Sequence, residues 1–259
     1  MDKNFVSTLF DLKGKTAIVT GASGGLGKTL SVGLALAGAN VLLTGRSEGK
    51  LLPIQKEIEE AGGKAAISVG EPSQHEDVKK VVADAVSVFG GVDILVTSAG
   101  VNKVGPIVEQ SVEDWQAVMD ANVKGTYLYC KEVGKVMIEQ KRGGKVILVG
   151  SARGHLGMAN YTAYAPAKAA VHLLAKSLAC EWGQYGINVN AIAPTVFRTD
   201  LTQWMFDDDA FYKKFLARIP IGRLGEPEDF IGSIVFLASK ASDFLTGAII
   251  DTDGGYSAG

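Results

Sequence analysis

Tyr164 and Lys168, in the stretch Tyr164-Ala-Pro-Ala-Lys168, are the residues whose types and spacing best suit proton chemistry. On a helix, positions i and i+4 share one face. Pro166 supports a helix start here, because proline is tolerated in a first turn whose N–H groups have no partner. A phenol titrates near ~10, and an adjacent ammonium favours the phenolate, bringing proton exchange closer to neutrality. Ordinary solvated helices also carry tyrosine and lysine at this spacing, so the pair needs support from the rest of the chain. A second stretch, Gly21-Ala-Ser-Gly-Gly-Leu-Gly27, has glycines where backbone would approach a ligand closely. If it joins a strand to a helix, the helix N-terminus would offer free N–H groups and a positive dipole end to a pyrophosphate. The spacing departs from G-x-G-x-x-G, so context must carry the reading.

The flanking sequence supplies that context. Lys15-Thr-Ala-Ile-Val-Thr20 is β-rich and breaks into the glycine stretch. Leu26, Leu30, Leu34 and Ala37 then follow at helical spacing up to Gly38, and Asn40-Val-Leu-Leu-Thr44 reads as a second strand. Further strand-like runs are expected at 64–69, 93–97, 145–150, 188–193 and 248–251. Helices are expected between them, at 49–61, 76–89, 113–140, 164–182 and 226–238. Runs such as Val146-Ile-Leu-Val149 are continuously apolar, as in strands covered on both faces. The expected fold is therefore α/β, a doubly wound parallel sheet of about seven strands flanked by helices, Rossmann-like. No linker or repeat divides the chain, so 1–259 reads as one unit. The irregular region is 194–223, with Trp204, Met205, Phe206, Asp207, Asp208, Asp209 and Phe211. It reads either as a substrate lid at about 195–223 or as a surface helix pair with a core stripe.

Composition narrows the function classes. The 259 residues carry 26 Lys+Arg against 28 Asp+Glu, which gives no electrostatic argument for nucleic acid or an anionic membrane. Cys130 and Cys180 stand far apart and make neither a disulfide framework nor a metal site; a reducing cytoplasm suits them. The first residues lack a signal peptide's apolar core. At the end of the second strand, Thr44-Gly45-Arg46-Ser47 offers no acid for ribose hydroxyls, whereas Arg46 and Ser47 both suit a phosphate. This favours NADP(H), with NAD(H) as the alternative.

Several ordered motifs together resemble the short-chain dehydrogenase/reductase family over essentially the whole length. Thr20-Gly-Ala-Ser-Gly-Gly-Leu-Gly27 is similar to that family's cofactor loop, and Tyr164-x-x-x-Lys168 to its active-site pair. Ser151, after the run ending at Val149, stands where the family keeps its catalytic serine, and Asn122 in Asp120-Ala-Asn-Val123 resembles its catalytic asparagine. Asn188-Val-Asn-Ala-Ile-Ala-Pro194 and Asp253-Gly-Gly255 are also similar to family segments. The resemblance implies a metal-free hydride transfer between NAD(P)H and an alcohol/carbonyl pair. Tyr164 would be the general acid or base, Ser151 would hydrogen-bond the substrate oxygen, and Lys168 would lower the Tyr164 pKa and hold the nicotinamide ribose. Asn122 would position a water that relays protons. The cofactor would lie on Gly21, Ser23, Gly24, Gly25, Leu26, Gly27, Arg46, Ser47, Ser98, Ala99, Gly100, Pro194, Val196 and Thr199, besides Tyr164 and Lys168.

The chain departs from the family at three places. Thr97-Ser98 replaces an Asn-Asn pair, Gly70 stands where an aspartate contacts adenine, and Thr195 replaces a glycine. Substrate contacts are expected from Ser151, Arg153, His155, Tyr161, Tyr164 and Trp204, with Met158 nearby. Arg153 and His155 would suit a carboxylate or hydroxyls. Segments 218–228 and 235–243 are similar to those of the subgroup containing gluconate 5-dehydrogenase and 3-oxoacyl-carrier-protein reductase. That suggests a sugar acid or polyol ketone. A 3-oxoacyl reductase or a cyclic or aromatic alcohol dehydrogenase using NAD(H) is the alternative. A non-catalytic dinucleotide-binding protein would be expected to lose one of the four catalytic residues, and a lyase or dehalogenase the glycine loop. The resemblance also implies a homo-oligomer, usually a tetramer built on the helices at 113–140 and 164–182, with a small-molecule partner and neither nucleic acid nor membrane. Exchange of Arg46 for Asp is expected to move the NADPH/NADH ratio of kcat/KM toward NADH by at least about tenfold, because it removes a phosphate partner and restores a ribose acceptor. An unchanged ratio would take Arg46 out of the phosphate site.

Overall fold

Strand β1 (Thr16–Thr20) is buried along its whole length, and its side chains divide between two cores. The structure, a computed structural model, describes residues 4–199 and 202–259. Before β1 lies a short exposed helix, α1 (Phe5–Leu9), that the sequence pattern did not suggest. After it come α2 (Gly25–Leu36), β2 (Asn40–Gly45), α3 (Glu48–Glu60), β3 (Lys64–Val69), α4 (His75–Phe89) and β4 (Ile94–Thr97). The chain continues through α5 (Val112–Met119), α6 (Gly125–Gln140), β5 (Gly144–Val149), α7 (Tyr164–Trp182) and β6 (Ile187–Pro194). It then forms α8 (Gln203–Asp207), α9 (Asp209–Leu216), α10 (Ile231–Ala238) and β7 (Ile249–Thr252).

All seven strands pair in parallel, in the order β3-β2-β1-β4-β5-β6-β7. The expected doubly wound sheet is therefore present. Alternation explains the continuous apolar runs. Ala17, Val19, Val41, Leu43, Ile94, Val96, Ile147 and Val149 face one core, with Leu30 and Leu34 of α2, Leu51, Ile54 and Ile58 of α3, and Ile234 and Leu237 of α10. Ile18, Leu42, Leu95, Val146 and Leu148 face the other, with Val78, Val81, Val82, Val133, Met137, Val171 and Trp182 from α4, α6 and α7. Neither face of the central strands meets water, so neither can carry polar residues without cost. At the N-terminal edge the buried Asp93 accepts from the Thr16 N–H at 2.9 Å and from Arg142 Nε at 3.0 Å, which ties β1 to the turn before β5.

Two expected elements differ in detail. The helix expected at 113–140 is broken at Asp120–Lys124 by a wide π-helical turn between α5 and α6. The one expected at 226–238 begins as a 3₁₀ turn, Pro227–Phe230, held by a reciprocal cap between Glu226 and Asp229. In 194–223 the chain forms the helix pair α8 and α9, and Phe206, Tyr212 and Phe215 pack against Ile219, Leu224, Ala152 and Tyr256. No described helix is long and apolar enough to cross a membrane.

Helices α6 and α7 lie close where Gly134 faces Trp182. A Cβ at Gly134 would stand 2.7 Å from the indole. Gly134→Ala is expected to destabilise the chain by about 1–3 kcal/mol through overpacking, read from the urea midpoint at unchanged m-value. No change would mean that the helix pair can part freely.

Candidate active site

The strand order reverses between β1 and β4, and the site lies at that point, beyond the C-terminal ends of the strands. The glycine stretch turns there from β1 into α2. Gly21 has φ +62°, and a Cβ on it would come 2.7 Å from the Ala99 backbone. A Cβ on Gly27 would come 2.1 Å from the Gly21 carbonyl, and one on Gly25 would meet Thr199 at 2.6 Å. Only bare backbone fits this cradle. Beside it lies a cleft of ≈ 210 Å³ lined by Gly21, Ser23, Gly24, Arg46, Ala99 and Gly100, among others. A cradle closed to side chains at a helix N-terminus, opening on this cleft, fits a dinucleotide.

Of the expected cofactor residues, Gly21, Ser23, Gly24, Arg46, Ser98, Ala99 and Gly100 line this cleft. Arg46 and Ser47 are exposed at the end of β2, and no ion pair engages Arg46 among the described residues. The half-buried Leu26 side chain packs against the core layer under α2. Ser98 donates its hydroxyl to the Thr20 carbonyl at 2.5 Å, and the Ala99 N–H donates to Thr20 Oγ1 at 3.1 Å. The Thr97-Ser98 departure thus keeps β1 and β4 joined by different bonds. Gly70 packs against Asp77 and Val81, and Glu71 and Pro72 line the cleft in place of an aspartate. Val196 packs with Ile219 and Leu224 beyond Pro194, and the Thr199 hydroxyl meets that of Thr202 at 2.9 Å.

Helix α7 begins at Tyr164, so Tyr164 and Lys168 do lie one turn apart on a buried face. Lys168 Nζ donates to the Val149 carbonyl at 2.9 Å and sits 5.6 Å from the centre of the Tyr164 ring. Burial pushes the Lys168 ammonium down to about 8. Burial pushes the Tyr164 phenol up to about 12, while its hydrogen bond with the Ser151 hydroxyl works the other way. The net shift is therefore upward, against the lowering expected from Lys168: desolvation outweighs the Ser151 hydrogen bond and the Arg153 charge, which both favour the phenolate. Ser151 follows β5 with extended backbone, φ −171° and ψ 154°, and its Oγ lies 3.5 Å from the Pro194 carbonyl. Asn122 occupies the π-helical turn, a feature that often marks functional sites. Its Nδ2 donates to the Val101 and Val118 carbonyls at 2.8 and 2.9 Å, and its buried Oδ1 has no partner. A Cβ on Gly100 would stand 2.5 Å from that Oδ1 and 3.6 Å from Lys168 Nζ, so the two polar atoms flank one bare backbone position. The four residues converge at the ends of β4 and β5.

The substrate-side candidates divide. Tyr161 stands edge-on to Tyr164 at 6.2 Å and is half-buried, with its phenol pushed up mainly by burial. Arg153 is buried; its terminal nitrogens donate to the Gly157 carbonyl at 3.2 Å and to the Tyr256 hydroxyl. His155 turns to Asp251: its Nε2 is 3.2 Å from Asp251 Oδ1, and its ring lies 4.5 Å from that of His172, tilted by 46°. Met158 is exposed. Trp204 lies in α8, and its side chain is outside the described residues. Sequence reasoning missed Asn102, whose side chain hydrogen-bonds Tyr161, and Tyr256, which lies between Arg153 at 5.0 Å and Arg218 at 4.3 Å. It also missed His172, although the α7 periodicity that pairs Tyr164 with Lys168 extends to it.

Comparison with known proteins agrees with this geometry. The family model described as enoyl-(acyl carrier protein) reductase matches residues 21–257. An uncharacterized oxidoreductase of Mycobacterium tuberculosis is 46% identical over 255 residues, covering 96% of this chain and 93% of that protein. The gluconate 5-dehydrogenase of Gluconobacter oxydans is 37% identical over 247 residues, covering 95% and 96%. The crystal structure of a gluconate 5-dehydrogenase from Burkholderia cenocepacia, in complex with NADP and tartrate, superposes with a TM-score of 0.94 at 33% identity, covering 98% of this chain and 99% of that one.

With its value raised to about 12, the Tyr164 phenol keeps its proton across the neutral range and becomes a base only as pH rises. Alcohol oxidation is expected to climb between roughly pH 5.5 and 7, below the value of about 8 at which Lys168 loses its charge, whereas carbonyl reduction should lose nothing over that interval. A reduction rate that falls with a midpoint near neutrality would show a phenol far more acidic than this site makes it.

Proposed function

Because the chain belongs to the short-chain dehydrogenase/reductase family and is thus an NAD(P)-dependent oxidoreductase acting on a CH–OH group, we propose that it interconverts a secondary alcohol and ketone of a sugar acid or polyol with NADP(H). The observation that carries the reading is the convergence of Ser151, Tyr164, Lys168 and Asn122 beside a glycine cradle. The exposed Arg46 supports a 2′-phosphate, and the NADP complex of the Burkholderia relative supports the same choice. The gluconate 5-dehydrogenases among the relatives support a polyhydroxylated substrate.

When bound, the nicotinamide supplies or takes the hydride at carbon. The chain's own residues handle the oxygen. Ser151 Oγ and the Tyr164 hydroxyl are hydrogen-bonded to one another and together hold the substrate oxygen. In reduction Tyr164 gives its proton to that oxygen; in oxidation it takes the proton back. Lys168 stabilises the developing phenolate and passes a proton back to it, and Asn122 offers its unpartnered Oδ1 to a water that would then reprotonate Lys168. The cradle at Gly21, Gly25 and Gly27 and the α2 N-terminus hold the pyrophosphate.

Residues 195–199 and 202–223 act as a lid in this reading, since the α8–α9 pair packs on the 152–156 loop through a small apolar cluster; residues 200–201 of the expected lid lie outside the described residues. Trp115, Tyr127 and Leu173, exposed on α5, α6 and α7, support a homotetramer built across those helices. The free thiols of Cys130 and Cys180 support a cytoplasmic location.

The test is NADPH-dependent reduction of a panel of keto-sugar acids and keto-polyols by the wild type and by Tyr164→Phe. The variant is expected to lose about 10²–10⁴-fold in turnover with cofactor affinity unchanged, because only the proton-transfer group goes. Retained turnover would remove Tyr164 from its role, and no turnover by the wild type on any ketone would overturn the substrate reading.

A further inference from the structure

Against the Ser151 backbone lies a buried imidazole that the chemistry above does not use. His172 is 6% exposed and belongs to α7, one turn beyond Lys168 and two beyond Tyr164. The Ser151 backbone N–H points at its Nε2, at 3.4 Å. The ring fills the space between the end of β5 and the 3₁₀ turn Ala152–Gly154. A Cβ on Gly150 would come 2.2 Å from Nε2, and one on Gly154 would come 2.4 Å from Cε1. The backbone on both sides of Ser151 therefore rests on this ring, and both glycines are small because the ring is there.

We propose that His172 is a positioning residue for Ser151: its unprotonated Nε2 accepts the Ser151 N–H, and its ring props the 150–154 backbone so that Ser151 Oγ stays at the substrate oxygen. The proposal rests on the role given to Ser151 above. A donor cannot face a donor, so Nε2 must be bare, and a neutral ring then carries its proton on Nδ1. Nδ1 is buried and has no partner, so no bond on the ring's other side competes for that tautomer. Burial first, and then electrostatic opposition from the neighbouring lysines Lys168 and Lys176 and from His155, pushes His172 down to about 4 and keeps the ring neutral. His155 lies 4.5 Å from the ring, tilted by 46°, and is itself held by Asp251. Placement matters here because a misplacement of about 1 Å at a reacting group can cost about 10²-fold in rate.

The test uses the full chain and three variants. His172→Phe keeps the ring volume and loses the acceptor; His172→Gln keeps an acceptor near Nε2. With NADPH and a ketone from the panel above, His172→Phe is expected to lose at least about tenfold in kcat with NADPH affinity unchanged, and His172→Gln to recover most of that loss. Tyr164→Phe, run alongside, separates the two readings. If it retains turnover, the assigned proton chemistry fails; if it is inactive while His172→Phe turns over like wild type, only the positioning role fails. A readout independent of turnover is the ring-nitrogen spectrum of labelled histidine, assigned by the resonance lost in His172→Gln. Nε2 bare and Nδ1 protonated is the expected tautomer. A proton on Nε2 would overturn the proposal outright, since that nitrogen could not then accept from Ser151.

Discussion

Between β1 and β4 the winding of the chain reverses. Crossovers from parallel strand to parallel strand are right-handed, so a chain that builds outward from β1 in both directions must put its helices on opposite faces of the sheet. The loops at that point part, and what they leave is a crevice, not a covered edge. Every group assigned to chemistry hangs on the rim of this crevice. The glycine cradle follows β1, the Ser98-Ala99-Gly100 turn follows β4, Ser151 follows β5 and Pro194 closes β6. The contact of Gly21 with the Ala99 backbone is a tight joint of the rim, and a side chain at Gly21 would hold the two loops apart.

Desolvation governs the electrostatics of the rim. Lys168 and Tyr164 are drawn in opposite directions, the ammonium toward neutrality and the phenol away from it, because both charged forms lose water. One carbonyl, that of Val149, holds the ammonium, and one hydroxyl, that of Ser151, holds the phenol. Such a pair resists ionising by accident and has little surrounding water to reorganise when a proton moves, which is the condition under which fixed dipoles count most.

Much of this was legible in the sequence, and for identifiable reasons. Strands such as Val146–Val149 betray themselves because both faces are covered, and Tyr164-x-x-x-Lys168 because a helix start is written into Pro166. The interruption of 113–140 was not legible. A π-helical turn costs one extra residue and no special composition, and Asn122 looks like any mid-helix polar residue until its neighbours are known. The placements of Arg153 and His155 depended on distant partners, Tyr256 and Asp251, that no local pattern ties to them. The direction of the Tyr164 shift depended on how deeply the site is buried, which spacing does not encode.

Tyr256 stands apart from the rest of the site. It accepts a hydrogen bond from Arg153, stacks on Phe215 at 5.0 Å and lies under Arg218. The wall it anchors is therefore assembled from the 152–157 loop and segments near the C-terminus, while the glycine cradle comes from the start of the chain and meets the later segments where Gly25 stands against Thr199. Such a layout is modular in the evolutionary sense. Mutations can drift through the wall and open the enzyme to new alcohols without disturbing the redox machinery, so descendants of one ancestral chain can diverge in diet while spending the same reducing equivalents.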